Sequence, residues 1–116
     1  MLKAFSPQTK VIGVSAANSA ALAASIRAGK MVQVDHLPTL ADGCAGGVTE
    51  GTMTLPLASA VVDEMIECSE QEIAAGMHAI AWQEKMLVEG SAGLAYAAFQ
   101  KSPAALRGKS LSLIHI

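Results

Sequence analysis

The chain has little charge and almost no aromatic side chains. Charged residues make up 16% of its 116 positions, against roughly 25% in ordinary globular proteins. Phe5, Trp82, Tyr96 and Phe99 are the whole aromatic set. With a net charge of −2 and no Lys/Arg cluster, a nucleic-acid footprint is excluded. No uninterrupted apolar run approaches the roughly 18 residues of a membrane span, and the opening residues Met1–Ser6 lack the apolar core of a signal peptide. Cysteine is scarce as well. Cys44 and Cys68 stand apart, without a CxxC pair or a histidine at ligand spacing, and are read as reduced packing residues of a cytoplasmic protein.

What is present is small and apolar. Hydrophobic residues make up 52% of the chain, mostly Ala, Val, Ile and Met. So few polar side chains cannot cover the outside of a free-standing domain. Two readings fit, a tightly packed small α/β domain or an interior slice of a larger one, and the shortage of charge favours the slice. At this length the chain holds one domain at most.

Short apolar runs alternate with helical patterns, which sets the class as α/β. Lys10–Val14 has no period-two alternation and suits a strand buried on both faces of a parallel sheet. Asn18 or Ser19 is placed to cap a helix over Ala20–Arg27, which Gly29 ends. Met31–Val34 is a second brief strand. The glycines of Pro38–Gly51 make that stretch a loop. A helix runs from Thr54 to about Asp63-Glu64, followed by a strand at Met65–Cys68. Ser69-Glu70-Gln71-Glu72 spells a capping box. It opens a helix with Ile73, Met77, Ile80 and Ala81 as a core stripe. Ser91 is placed to cap the last helix, which runs through Leu94, Ala98 and Phe99 to Lys101.

Two blocks set an acid beside glycines: Pro38-Thr39-Leu40-Ala41-Asp42-Gly43, followed by Gly46-Gly47, and Leu87-Val88-Glu89-Gly90-Ser91-Ala92-Gly93. A carboxylate flanked by bare backbone suits close approach to a flat ligand. Asp42 either orients a bound group through a charged hydrogen bond or closes an Asx-turn within its loop. Glu89, partly buried, has its pKa raised and handles a proton; otherwise it pairs with a surface lysine. Gly90–Gly93 either open a helix whose amides face an anion or allow close packing.

The order and spacing of these blocks resemble threonine/serine dehydratase-like enzymes, the fold-type-II pyridoxal-phosphate family, from about Leu2 to Ser110. The resemblance implies a partial three-layer parallel sheet with flanking helices, the cofactor pyridoxal phosphate and a small amino-acid substrate. It also implies a homo-oligomeric parent that is an ammonia-lyase acting on serine, threonine or a similar β-hydroxy amino acid. Asp42 and Gly43 would then face the ring and substrate, with Glu89 and Gly90 near the ring edge. A racemase or β-replacement synthase of the same fold is the alternative chemistry, and a non-catalytic α/β binding module the alternative class. The Pro38–Gly47 block favours dehydratases over synthases.

The family's Schiff-base lysine has no counterpart among Lys3, Lys10, Lys30, Lys85, Lys101 and Lys109. Lys85, the only one next to a matched motif, is a solvated or dipole-pairing residue. No catalytic residue is therefore assigned, and the chain is expected to be inactive by itself. Metal-using members carry Glu-Pro-x-Asn-Ala-x-Asp where this chain has Ser15, Ala16, Asn18, Ser19 and Ala21, so no metal site of that type is expected. Residues 1–110 are read as part of a dehydratase-like domain. The intact gene is expected to add a glycine-rich loop before Leu2 and a Ser- or Cys-Gly-Gly turn after Ser110. The ending Leu111–Ile116 reads as the translation of a transposon-end library adapter, a natural final strand being the other reading.

Overall fold

A computed structural model of the chain describes residues 2–114, without the side chains of Pro103 and Ala105. Strand β1 (Ile12–Ala16) pairs in parallel with β2 (Glu64–Cys68), in a register running from Ile12 opposite Glu64 to Ala16 opposite Cys68. A parallel pair needs a long crossover, and here it contains α2 (Ala21–Ala28), the glycine loop and α3 (Thr54–Val61). The short helix α1 (Leu2–Phe5) precedes β1, and α4 (Glu70–Glu84), α5 (Gly90–Lys101) and α6 (Pro103–Leu106) follow β2. The strand entries are pinned by one residue: Val11 N–H donates to the Asp63 carboxylate at 2.7 Å, and Asp63 N–H returns to Val11 O at 2.9 Å.

Successive strand residues face opposite ways. Ile12, Val14 and Ala16 of β1 and Ile66 and Cys68 of β2 share one cluster with Ile73 of α4 and Leu94, Ala97 and Ala98 of α5. Arg27 of α2 pairs with Glu67, a residue of the alternate β2 set. The sheet is thus covered by helices on both sides, as the resemblance implies, over the two strands that this chain supplies. Helices α4 and α5 meet backbone to backbone. A Cβ on Gly76 would lie 2.5 Å from the Gly93 carbonyl oxygen, and one on Gly93 would lie 2.4 Å from Met77 Cγ. Away from this core, Phe5 is 83% and Leu87 95% exposed, so the chain leaves large apolar side chains uncovered. Among the described residues no helix is long and apolar enough to cross a membrane.

Several sequence expectations are corrected. Met31–Val34 forms no strand; the amide of Val32 donates to Ser25 Oγ at 3.1 Å instead of to a sheet neighbour. Neither Asn18 nor Ser19 caps α2, whose N-cap is Ala20 with no side-chain bond. Both are spent on the glycine loop. Asn18 Nδ2 donates to Pro38 O at 2.7 Å, while Ser19 Oγ lies 2.7 Å from His36 Nδ1 and accepts Gly46 N–H at 3.0 Å. α3 stops at Val61, because Asp63 is drawn to Val11 and to Lys3, 2.7 Å away. β1 sits two residues later than the apolar run suggested, and only Ala16 within it is fully buried. In the α4 stripe Ile73 is buried, whereas Met77, Ile80 and Ala81 are half-buried. Residues 111–114 are exposed and form no strand, while His115 and Ile116 lie outside the described residues.

The capping box forms as expected. Glu72 N–H donates to Ser69 Oγ at 3.3 Å, and Ser69 N–H donates to the Glu72 carboxylate at 2.7 Å. That amide first, and Lys101 second, hold the Glu72 carboxyl below its ordinary value. A lowered folded value places the stabilisation above the ordinary glutamate value of about 4.3, to be lost as pH falls through the folded one. Ser69→Ala is expected to cost about 1 kcal/mol at neutral pH. Glu72→Ala is expected to destabilise at neutral pH by an amount that shrinks in acid. Thermal unfolding of the full-length protein at pH 7 and below about pH 4 checks both, and a gap independent of pH would contradict the ionic contribution.

Candidate functional site

The two acid–glycine blocks meet in space. Thr39 Oγ1 accepts the Ala41 amide at 3.1 Å, and Ala41, fully buried, anchors a 3₁₀ turn over Asp42–Cys44. Cys44 N–H donates to Ala41 O and Ala45 N–H to Asp42 O, each at 3.0 Å. This loop lies against the start of α5. The Leu40 carbonyl is packed so tightly on Gly90 that a Cβ there would overlap it, at 1.8 Å. A Cβ on Gly43 would stand 3.0 Å from Ser91 Oγ and 3.8 Å from Glu89 Oε2. Gly43 is not in the left-handed region, so its glycine serves close approach. Asp42, Gly43, Glu89 and Gly90 are therefore neighbours.

The Asp42 carboxylate does not form the Asx-turn. The Cys44 amide goes to the Ala41 carbonyl instead, so the turn closes by backbone alone and the exposed carboxylate is left at its rim. Glu89 is exposed, not partly buried as expected. Its carboxylate is the N-cap of α5, accepting the amides of Ser91 at 2.9 Å and Ala92 at 3.1 Å. Gly93 N–H donates to the Glu89 carbonyl at 3.1 Å. Two of the first-turn amides are thus taken from within the chain, so Ser91 and Ala92 do not face an external anion as expected. Ser91, expected as the cap, is instead 3% exposed inside the helix, and its Oγ has no hydrogen-bond partner among the described residues.

Glu70 was not singled out in the sequence. Its Oε2 accepts the Leu40 amide at 2.7 Å and holds the loop to the first turn of α4. The available signal was a second acid in Ser69-Glu70-Gln71-Glu72, since the box itself uses only Glu72. Cys44 is exposed on the turn, against the expectation of a packing role, while Cys68 is buried and burial pushes its thiol up.

Four of the six lysines are engaged elsewhere. Lys3 pairs with Asp63 and keeps that carboxyl below its ordinary value, with help from the Val11 amide. Lys10 pairs with Glu64, and Lys101 with Glu72 at 3.0 Å and Glu67 O at 2.8 Å. Lys85 ends α4 with φ 60°, donates to Trp82 O and stands 5.0 Å from the Trp82 ring centroid, which is the dipole-pairing role expected of it. Among the described residues no group of three or more His, Cys, Asp or Glu could hold a metal ion.

All of residues 1–116 match the sequence profile of the pyridoxal-phosphate dependent enzyme family. The chain belongs to this family. It is 34% identical over 113 residues to L-threonine ammonia-lyase of Thermotoga maritima, covering 97% of this chain and 28% of that protein. It is 35% identical over 97 residues to the catabolic L-threonine dehydratase TdcB of Escherichia coli K12, covering 84% of this chain and 29% of that protein. Among solved structures, the threonine deaminase of T.th. superimposes with a TM-score of 0.79 at 29% identity, over 89% of this chain and 38% of that one. Maize serine racemase gives 0.79 at 25% identity, over 93% of this chain and 33% of the other. The chain thus spans about a third or less of the length of the curated relatives that it matches. The α/β class and the parallel sheet are those of this family.

Proposed function

We propose that this segment belongs to a pyridoxal-phosphate-dependent ammonia-lyase acting on serine, threonine or a similar β-hydroxy amino acid. In this reading Asp42, Gly43, Glu89 and Gly90 form one wall of its pocket. The observation that supports it most is the packing of Leu40–Gly43 on Glu89–Ser91, which sets two carboxylates around a surface of bare backbone. Such a turn fits a flat pyridine ring: Gly43 is exposed and carries no side chain to hold it off, while Gly90 lies behind it, buried under the Leu40 carbonyl. The turn fits the phosphate poorly, because the Ser91 and Ala92 amides at the start of α5 are already taken by the Glu89 carboxylate. The phosphate site is therefore assigned to other parts of the protein, and so is the covalent anchor, since no described lysine is buried. When bound, pyridoxal phosphate supplies the electron sink for elimination.

The residues present take simpler parts. The exposed Asp42 carboxylate accepts a hydrogen bond from the ammonium or hydroxyl of the substrate. Glu89 keeps α5 in place and closes its N-terminus to competing anions. Gly90 lets the Leu40 carbonyl lie flat, so that Gly43 presents its backbone at the turn.

The full-length protein, purified with pyridoxal phosphate, is expected to release ammonia and a 2-oxo acid from L-serine or L-threonine. Asp42→Asn is expected to lower kcat/KM by roughly tenfold or more, the contribution of one charged hydrogen bond. Formation of D-serine without 2-oxo acid would favour the racemase reading, which the maize serine racemase superposition supports. Bound cofactor with no reaction on any β-hydroxy amino acid would sink the lyase proposal.

A further inference from the structure

We propose that Glu70 is a positioning residue that fixes the Asp42–Gly43 turn to α4 and so sets the shape of the cofactor wall; the link to the cofactor rests on the function proposed above. An acid in the first helical turn ordinarily points into solvent, where it complements the helix dipole. Glu70 does something else. One carboxylate oxygen accepts the Leu40 amide at 2.7 Å, a bond spanning 30 residues of chain, and the other is buried with no hydrogen-bond partner among the described residues. The covered oxygen shows that the carboxylate is enclosed at one end, and the bond to Leu40 ties its other end to the loop. A carboxylate also holds a backbone N–H more tightly than a neutral acceptor does.

Leu40 is gripped from two sides. Its N–H is held by Glu70, and its carbonyl rests on Gly90. The next residue, Ala41, is fully buried and begins the turn that carries Asp42 and Gly43. Gly43 has no side chain, and the Asp42 turn closes through its own backbone, so the position of both is inherited from Leu40. The Ser69–Glu72 box fixes the start of α4. Glu70 carries that rigidity across to the loop.

The test uses the full-length protein. Hydrogen exchange of the peptide covering residues 38–45, measured first without cofactor, is expected to quicken by about tenfold in Glu70→Ala, the effect of losing one charged hydrogen bond. Glu70→Asp keeps the helix-end charge but falls short of Leu40, and it should show the same loss. Glu70→Gln keeps a neutral acceptor oxygen and should restore part of the protection. Titration of the cofactor-free protein with pyridoxal phosphate, followed by its absorbance spectrum, should give roughly tenfold weaker binding for the Ala and Asp variants and a smaller loss for Gln. Unchanged exchange in Glu70→Asp would overturn the clamp. Quickened exchange with unchanged cofactor affinity would overturn its service to the pocket. A wild-type protein that binds no pyridoxal phosphate would instead refute the proposed function, leaving exchange alone to decide the clamp. Should Glu70→Ala fail to fold, the Asp and Gln pair carries the comparison.

Discussion

Leucine in place of Gly76 will drive α4 and α5 apart. A Cβ at that position lies 2.5 Å from the Gly93 carbonyl oxygen and 3.3 Å from the Ala97 amide nitrogen. Both are backbone atoms, which cannot swing aside as a flexible side chain would. The helices must separate, and α5 carries Leu94, Ala97 and Ala98 into the core. The expected loss is roughly 3 kcal/mol or more, at the severe end of overpacking. Because Glu89 and Gly90 begin α5, the displacement also disrupts the contact with Leu40–Gly43. Gly76→Ala should be milder, since alanine recovers about 1 kcal/mol of helix propensity against a smaller clash. Thermal unfolding and soluble yield of the full-length protein measure both. A Gly76→Leu variant as stable as wild type would show that the two helices do not touch at this point.

Pyridoxal phosphate mixed with the 116-residue chain will leave no borohydride-reducible adduct at a single lysine. A lysine becomes a nucleophile through burial in an apolar pocket or a neighbouring cation, and none of the described lysines is buried. Lys3, Lys10 and Lys101 are bound to carboxylates, and Lys85 to the end of its own helix. Absorbance spectra followed by reduction and peptide mass mapping are sufficient. Saturable modification of one lysine would mean that the segment carries its own anchor, and the assignment of the wall as a partial site would fall. Scattered, non-saturating modification of several exposed lysines is the expected background.

Features encoded locally were legible in the sequence. The Ser69–Glu72 box needs only the residues it names, and it formed as written. The apolar runs around Val14 and Ile66 marked both strands, since burial is what such runs require. Met31–Val34 looks equally strand-like, but a strand exists only by pairing, and Val32 spends its amide on Ser25. The caps failed for a related reason. Asn18 and Ser19 suit a helix start, yet the same donors and acceptors suit a loop far along the chain, and tertiary contacts decided between them. Ser91 and Glu89 exchanged roles because a carboxylate reaches two amides where a hydroxyl serves one. The joining of the two acid–glycine blocks was implied by the family resemblance of their order and spacing. Its fastening through Glu70 was not, because a single long-range bond to a backbone amide leaves no periodic trace.

The turn that carries Asp42 also offers a way to watch the proposed wall at work. Cys44 is exposed two residues beyond Asp42, whereas Cys68, the only other cysteine of the segment, is wholly buried with its thiol pushed away from ionisation. Thiol reagents act on the ionised, accessible form. A fluorophore or spin label offered to the native segment is thus directed to the Asp42 turn without any engineered residue. The chain carries a built-in reporter position where movement of the Asp42 turn can be followed directly.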